Sequence, residues 1–191
     1  MSRPVADELT AYLPHGPGET TDLPRIREVA AGAADPWSRS IPLHLTGSAV
    51  IVHPASGQVL LRWHERQQAW LQVGGHGDPG ESDPLQIALR EAREETGLAD
   101  LVPWPDATLV HAIIVSVPAG AGEPAHEHAD LRYLLATSDP AAARPERETA
   151  PLRWLSLDDA RAVVAEDNLR ETLDRVAERM RVAGPAPADL T

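Results

Sequence analysis

The sequence contains no cysteine and no phenylalanine, and aromatic residues make up only 4% of its 191 positions. Without cysteine, the protein has no disulfide framework, no thiolate metal site and no cysteine nucleophile. This composition fits a reducing compartment, and we expect a cytoplasmic protein. The core must be built from leucine, valine, isoleucine and alanine, with the five tryptophans as its largest side chains.

Long apolar runs and an excess of positive charge are also absent. No stretch approaches the roughly 18 apolar residues of a membrane-spanning helix, and Met1–Leu13 lacks the basic-then-apolar pattern of a signal peptide. The formal net charge of −12 repels polyanions. We therefore expect neither nucleic-acid polymers nor membranes as partners. A small phosphorylated substrate is compatible if divalent cations lie between it and the protein's carboxylates.

The residue pattern predicts a helical N-terminal arm followed by one α/β domain. Residues 1–40 contain two weak helical patterns, Val5–Leu13 and Leu23–Ala33, separated by a Pro/Gly-rich stretch. We place the domain at residues 41–183 and a disordered Pro/Ala-rich tail at residues 184–191.

Hydrophobic periodicity predicts the elements of the domain. Runs rich in apolar and β-branched residues predict strands at Thr46–His53, Val59–Trp63, Trp70–Val73, Thr108–Val117, Leu131–Thr137 and Leu152–Leu155. Apolar residues at three- and four-residue spacing predict helices at Pro84–Thr96, Leu157–Ala165 and Asn168–Val182. The segment Pro118–Asp130 is predicted to be a loop. Asp83 is expected to cap the first of these helices, and Gly97 is expected to end it.

Three carboxylates lie close together on the first predicted helix. Glu91, Glu94 and Glu95 stand at relative positions i, i+3 and i+4, so they share one helix face. In isolation, such a cluster indicates a solvated acidic face, although like charges at this spacing repel one another. The Gly74-Gly75 loop upstream and the flanking Arg90 favour a site for a hard divalent cation such as Mg²⁺, which prefers oxygen ligands.

The same region resembles a known sequence motif. Residues Gly75–Glu81 followed by Arg90–Leu98 resemble the Nudix box, which reads Gly, five residues, Glu, seven residues, Arg-Glu-apolar-any-Glu-Glu-any-Gly-apolar. This sequence departs from the pattern at one point, because eight residues, 82–89, separate Glu81 from Arg90. We place the extra residue in the turn before the helix, where it lengthens a loop without rotating the carboxylates off their face.

The resemblance implies a fold and an activity. It implies the α/β/α sandwich of the Nudix (MutT-like) family, in which a mixed β-sheet carries the box helix on one face and later helices on the other. It also implies an Mg²⁺-dependent hydrolase, with Mn²⁺ as an alternative cation, that cleaves a diphosphate linkage by attack of water on phosphorus. Nucleotide sugars, ADP-ribose and (d)NTPs are substrates of this type, and the sequence does not distinguish among them.

The resemblance further implies roles for the residues of the box. Glu94 and Glu95 would be the principal metal ligands, and Glu91 would be a further ligand or the group that orients the attacking water. The carbonyl group of Gly75 would add an oxygen ligand.

Two supporting roles also follow from the resemblance. Glu81 and Arg90 would pair and hold the loop against the helix. Family members often recruit another carboxylate downstream of the box as metal ligand or general base, and Glu148 is the first candidate here. Glu148 is equally well interpreted as one charge in a solvated linker. Glu123 and Glu127 are the substitutes.

Polar residues near the glycine loop are candidates for substrate binding. Gln72 and His76 flank the loop, and His126 and His128 lie in the predicted loop Pro118–Asp130. The alternating histidines are also compatible with a zinc site, but we favour contact with a substrate phosphate or base. Ordinary polar residues at the start of a strand are an equal alternative.

A rival interpretation is a catalytically silent Nudix-fold module that binds a nucleotide or regulates a partner. Retention of three mutually repelling carboxylates argues against it, because a site without a cation has no need of them. The resemblance also favours a homodimer, with residues 1–40 available for the interface.

Overall fold

The computed structural model describes residues 5–120 and 122–184, so residues 185–191 of the predicted tail lie outside the described residues. The helices are α1 (Val5–Ala11), α2 (Pro17–Gly32), α3 (Pro84–Thr96), α4 (Leu157–Val163) and α5 (Asp167–Ala183). The strands are β1 (Leu43–His53), β2 (Gln58–His64), β3 (Ala69–Leu71), β4 (Val73–Gly75), β5 (Val102–Pro103), β6 (His111–Val117), β7 (His126–Ala136) and β8 (Leu152–Ser156). Within these ranges, no helix combines the length and apolar character needed to cross a bilayer.

All eight strands belong to one mixed sheet. Its central pair, β1 and β7, runs parallel from Leu43 opposite Glu127 to Val52 opposite Ala136. The other pairings are antiparallel: β2 and β4 pair with β1, β5 and β6 with β7, and β3 and β8 with β2. The predicted mixed sheet is therefore confirmed, and the N-terminal ends of β1 and β7 lie side by side.

The two faces of the sheet carry separate apolar clusters. Along β1, Ala49 and Ile51 belong to the cluster that contains Ile87 of α3 and the buried residues of α1 and α2. The alternate residue Val50 belongs to the cluster that contains Leu173 of α5. Because successive side chains of a strand point to opposite faces, helices cover both faces of the sheet. This confirms the predicted α/β/α sandwich.

The two N-terminal helices contribute to the core. Leu9, Leu23 and Ile26 are at most 1% exposed and belong to the apolar cluster on the α3 face. Helix α2 begins at Pro17, earlier than the predicted start at Leu23, because proline suits the first position of a helix. The arm is therefore packed on the sheet, as the sequence predicts, and part of its Pro/Gly-rich stretch is helical.

A buried carboxylate ties α2 to the rest of the domain. Glu19 is fully buried and accepts hydrogen bonds from the backbone N–H groups of His15 at 2.6 Å and Ala112 at 2.9 Å. Its Oε1 atom lies 2.8 Å from Nη1 of Arg175 on α5 and also accepts a hydrogen bond from Tyr12. Burial alone would raise the pKa of Glu19, but these donors hold that pKa below its ordinary value.

Strand β7 begins earlier than the sequence predicts. The prediction of a loop over Pro118–Asp130 is wrong from His126 onward, because β7 starts at that residue. The polar residues His126, His128 and Asp130 hide the strand from an analysis based on apolar runs. Since they alternate, they point to one face of the sheet. There they lie beside polar residues of the parallel neighbour β1.

Helix α3 begins and ends as predicted. Oδ1 of Asp83 accepts hydrogen bonds from the backbone N–H groups of Leu85 at 3.0 Å and Gln86 at 3.2 Å, which caps the helix. Gly97 ends it in the left-handed conformation with φ of 69°. Residues 82 and 83 therefore precede the helix, and Glu91, Glu94 and Glu95 lie in uninterrupted helix.

Candidate metal and substrate site

The carboxylates of Glu91 and Glu95 lie against Gly74 and Gly75, the last two residues of β4. The backbone N–H of Gly74 donates a hydrogen bond to Oε2 of Glu95 at 3.2 Å. A Cβ atom on Gly75 would approach the carboxyl carbon of Glu91 to 2.6 Å, so glycine is needed for β4 to pass this close to α3. Strand β4 and helix α3 therefore place two carboxylates beside the backbone of Gly75.

Glu94 is in a different environment from the other two acids. Its side chain is 57% exposed, whereas those of Glu91 and Glu95 are 17% and 13% exposed. Nη1 of Arg90 donates to Oε2 of Glu94 at 3.2 Å and to Oε1 of Glu91 at 2.9 Å. The three acids therefore occupy one region, with Glu94 at its solvent edge.

The inner carboxyl groups have raised pKa values. Burial raises the pKa of Glu95 to about 7, although Nη1 of Arg62 lies 3.2 Å from its Oε1 atom. Burial also raises the pKa of Glu91 against the opposing effect of Arg90. Such shifts mean that nearby positive charge does not compensate for the desolvation of the carboxylates. A set of oxygen donors in these surroundings fits a hard divalent cation.

Arg90 connects the glycine loop to α3. Its Nε atom lies 3.1 and 3.2 Å from the two carboxylate oxygens of Glu81, and its Nη2 donates to Glu81 at 2.9 Å. The same Nη2 donates to the carbonyl oxygen of His76 at 2.8 Å. Glu81 also accepts a hydrogen bond from the backbone N–H of Asp78 at 2.8 Å. These contacts fix the loop relative to the helix that carries the acids.

Among the downstream acids, Glu146 has the direct connection to the carboxylates. Arg62 lies between them, with Nη1 3.2 Å from Oε1 of Glu95 and Nη2 3.6 Å from Oε2 of Glu146. The backbone N–H of Glu146 donates to the carbonyl oxygen of Glu95 at 3.3 Å. Glu148 is exposed on the same linker. The linker therefore reaches the site, and the residue that touches Arg62 is Glu146.

The two substitute acids form ion pairs on the surface. Oε2 of Glu123 lies 3.3 Å from Nη1 of Arg66, and Oε2 of Glu127 lies 2.6 Å from Nη2 of Arg25. The side chains of these acids are 47% and 34% exposed. Exposed pairs of this kind contribute little to stability. Their partners show that both acids are engaged away from α3.

Gln72 belongs to a buried polar network below a cavity. Its Nε2 donates to Oδ2 of Asp130 at 3.2 Å. Asp130 is 4% exposed and also accepts from Thr46 at 3.0 Å, Ser48 at 2.6 Å and Arg132 at 2.7 Å. The network holds the amide of Gln72 in one orientation. The cavity above it has a volume of about 230 Å³, and its lining includes Gln72, Gly74, Gly75 and His76.

A larger hollow of about 1090 Å³ shares lining residues with this cavity. The shared residues include His64, His76 and His128. The hollow is also lined by Arg39 and Arg66, whose guanidinium groups suit the recognition of phosphate. The two volumes together form a cleft beside Gly74 and Gly75 of β4. The size of this cleft and the arginines that line it are compatible with a phosphorylated small molecule.

Four histidines converge at the N-terminal ends of β1 and β7. His44 and His128 are register partners on these strands, His126 precedes His128 on the same face, and His76 follows β4. Nε2 of His76 lies 3.1 Å from Nε2 of His44 and 3.2 Å from Nε2 of His128. Burial lowers the pKa of His76 to about 3 and that of His128 to about 4. Both imidazoles are therefore neutral near pH 7.

Sequence analysis identified His76, His126 and His128 but missed His44 and Arg62. His44 is far from His128 in the sequence and reaches it only through the parallel pairing of β1 and β7. Arg62 lies on β2, between its partners on β3 and β8, and its guanidinium reaches Glu95 of α3. The polar residues at alternate positions of β1 were an available signal, because a buried strand rarely carries them without polar neighbours.

Comparisons with known proteins agree with this architecture. Solved structures with a similar fold include the Ap4A hydrolase of C. elegans, at 21% identity and a TM-score of 0.55, covering 70% of this chain and 96% of that chain. A NUDIX-family hydrolase from Clostridium perfringens is 25% identical with a TM-score of 0.56, covering 74% and 98%. The dihydroneopterin triphosphate pyrophosphohydrolase of E. coli is 19% identical with a TM-score of 0.53, covering 69% and 92%. No curated protein matches the sequence.

The family profile of the NUDIX domain matches residues 43–179, which is well over half of the chain. The match includes Gly74 and Gly75 of β4, all of α3 and the strands that form the cleft. It agrees with the resemblance of residues 75–98 to the Nudix box. The chain therefore belongs to the Nudix family, and it is a hydrolase of the class that acts on phosphorus-containing anhydrides.

Proposed function

We propose that this protein is an Mg²⁺-dependent pyrophosphohydrolase that acts on a nucleoside diphosphate linked to another group, such as a nucleotide sugar, ADP-ribose or a (d)NTP. The main support is the packing of Glu91 and Glu95 against Gly74 and Gly75 of β4, beside the cavity that those glycines line. Oxygen donors at this point suit Mg²⁺, with Mn²⁺ as a substitute. A diphosphate in the cavity would lie next to them.

The proposed roles of the acids rest on the resemblance to the Nudix box. Glu94 and Glu95 are the principal metal ligands, the carbonyl group of Gly75 is another, and Glu91 is a ligand or orients the attacking water. When bound, Mg²⁺ neutralises charge on the phosphate oxygens and lowers the pKa of a bound water. Arg90 holds the loop and the acids in register through its contacts with the carbonyl of His76 and with Glu91.

The rest of the substrate would lie in the cleft. Gln72, His76, His126 and His128 line its two volumes and are proposed to contact the substrate, directly or through a bound ion. Arg39 and Arg66 supply positive charge to a chain whose net charge is −12. Glu123 and Glu166 line the same hollow, and Glu123 pairs with Arg66, so the two arginines offset these acids and the cleft does not share the excess negative charge of the whole chain.

The cellular setting is also a proposal. The lack of cysteine and the net charge of −12 support a cytoplasmic protein that binds neither nucleic-acid polymers nor membranes. The resemblance to the family supports a homodimer in which residues 1–40 take part. We further propose that residues 1–40 form a distinct arm on a domain of residues 41–183.

A substrate panel tests the proposed activity. The untagged protein would be incubated with ADP-ribose, nucleotide sugars, (d)NTPs, Ap4A and dihydroneopterin triphosphate, with Mg²⁺, Mn²⁺ or a chelator, in ¹⁸O-labelled water. The last two compounds are included because two structural neighbours are named for them. We expect metal-dependent release of two phosphorylated products, one of them carrying ¹⁸O. Nucleotide binding without any product would instead support the silent binding module.

A further inference from the structure

His44, His76, His126 and His128 form a cluster that has no part in the roles proposed for the carboxylates of α3. Its members come from three separate segments of the chain, and their Nε2 atoms face one another. His126 adds the third short contact, with its Nε2 3.1 Å from Nε2 of His128. The best ligand atoms of His44, His76 and His128 all lie within 4.8 Å of one another.

Hydrogen bonds to the backbone fix the tautomers of two members. Nδ1 of His44 lies 3.0 Å from the carbonyl oxygen of Ile41, and Nδ1 of His126 lies 2.9 Å from that of Pro124. A carbonyl oxygen only accepts, so both Nδ1 atoms carry a proton, and Nε2 is the nitrogen of each ring that can offer a lone pair to the cluster. Metal-binding histidines are oriented in this way by a carbonyl on the opposite ring nitrogen.

Neutral imidazoles alone cannot satisfy all three short contacts. Nε2 of His44 and Nε2 of His126 both present lone pairs, so a proton on Nε2 of His76 is needed for the contact with His44. The contact between His76 and His128 then requires a lone pair on His128, whereas the contact between His128 and His126 requires a proton there. With four neutral rings one contact therefore opposes two like groups, and a cation among the nitrogens, either an extra proton or a metal ion, removes the conflict.

The spacing also fits a tetrahedral ion. Zinc bonds to imidazole nitrogen are about 2.0–2.1 Å long, which places neighbouring ligand nitrogens of a tetrahedral site about 3.3 Å apart. Within the set His44, His76 and His128, two of the three separations are 3.1 and 3.2 Å, and the third, between His44 and His128, is at most 4.8 Å. His44 is 1% exposed, and His76 and His128 are partly buried. Imidazole nitrogen suits zinc, copper, nickel and iron rather than Mg²⁺.

We propose that His44, His76 and His128 bind one divalent transition-metal ion of the zinc type, at a site separate from the carboxylates of α3. The fourth position is taken by His126 or by an oxygen ligand from the hollow that these histidines line. From the sequence we favoured direct contact between these histidines and the substrate. We now propose that they bind a metal ion instead. His44, which the sequence pattern did not mark, supplies the ligand that makes the set complete.

Metal titration of the untagged full-length chain tests the proposal, since a histidine tag would itself bind zinc. Metal-stripped protein would be titrated with Zn²⁺ against a chromogenic chelator and with Co²⁺, whose visible absorption reports a four-coordinate site. We expect one ion per chain that resists the chelator, with any ion at the carboxylates held more weakly, and the same number of tightly bound ions in Glu94→Gln, because the carboxylates are not its ligands. His76→Asn and His128→Asn should weaken binding by more than about 100-fold, since even the outer partners of ligand histidines are worth about 10–100-fold.

His53→Asn is the matched control. His53 lies at the far end of β1 from His44, which at the rise of a strand is about 30 Å away. Its variant should bind zinc as the wild type does. Absence of stoichiometric binding in the wild type, or binding unchanged in both His76→Asn and His128→Asn, would overturn the proposal.

A measurement on the wild type covers the case in which the variants do not fold. X-ray absorption at the zinc edge of the protein with one equivalent of Zn²⁺ should show three or four imidazole nitrogens at about 2.0–2.1 Å. A shell of oxygen ligands without imidazole would place the ion at the carboxylates and refute the histidine site. This result does not depend on whether the substrate panel detects hydrolysis.

Discussion

Arg90 donates a hydrogen bond to the carbonyl oxygen of His76 at 2.8 Å, while the imidazole of the same His76 lies 3.1 Å from that of His44. One residue of the glycine loop therefore connects the carboxylates of α3 to the histidine cluster on the other side of the cleft. The guanidinium of Arg90 also binds Glu81 through Nε and Nη2. Its planar, multiple donors are what hold the loop in place.

Replacement of Arg90 by lysine keeps the positive charge, but it should still lower kcat strongly. A lysine is a single point donor and cannot hold Glu81 and the carbonyl of His76 together, so the loop will shift relative to the acids. We expect kcat to fall by about 100-fold, the effect of a misplacement of about 1 Å. Arg93→Lys, on the same helix, is the control and should keep kcat close to that of the wild type. Equal activity of the two variants would contradict the role given to Arg90.

The buried ion pair between Glu19 and Arg175 predicts a large effect on stability. Glu19→Ala leaves the guanidinium of Arg175, 14% exposed, without its buried partner, and it removes the acceptor of the backbone N–H of Ala112. The free energy of unfolding should fall by about 3–5 kcal/mol, measured by urea denaturation. Glu28→Gln, on the exposed side of α2, should change it by less than about 0.5 kcal/mol. A small effect of Glu19→Ala would show that α2 is not anchored as described.

The spacing of apolar residues, with Asp83 and Gly97 at the two ends, was enough to predict α3 and its caps, whereas the mixed sheet and the α/β/α layers were implied by the resemblance to the Nudix box. The start of β7 could not be predicted, because His126, His128 and Asp130 are polar. They are compatible with a buried strand only because of what faces them from β1. The same long-range pairing brings His44 into the cluster. Local spacing identifies acids on one helix, but it does not show which residues meet across a parallel pair of strands.

A buried histidine makes stability depend on pH. Burial, with Arg132 and Arg175 nearby, lowers the pKa of His111 to about 3, whereas in the unfolded chain it is near 6.5. The unfolded state therefore binds a proton that the folded state excludes, and stability that is complete above pH 6.5 is lost progressively between pH 6.5 and 3. In His111→Asn this loss should be smaller. Urea denaturation from pH 7 to 4.5, with a chelator present, measures it. An identical slope in the variant and the wild type would refute the assignment.

Glu146 and Glu148 provide a direct test of the downstream acid. Glu146 contacts Arg62, which in turn contacts Glu95, so we expect Glu146→Gln to lower kcat by about 10–100-fold through altered charge and position at Glu95, the effect of losing an outer partner of a metal ligand. Glu148→Gln should lower kcat by less than about twofold, since its side chain is exposed. Steady-state kinetics as a function of pH compares the two. A larger loss in Glu148→Gln would favour the residue that the sequence pattern indicated.

The central claim is that the acids of α3 hold the cation on which cleavage depends. Glu94 is the most informative position because its side chain is 57% exposed, so Glu94→Gln should leave the unfolding midpoint unchanged. The measurement is Mg²⁺-dependent turnover of the best substrate from the panel by Glu94→Gln, with Glu28→Gln as control. We predict a loss of about 100- to 1000-fold in kcat, comparable to removal of a main electrostatic contact of a transition state. Undiminished turnover by Glu94→Gln would contradict the account.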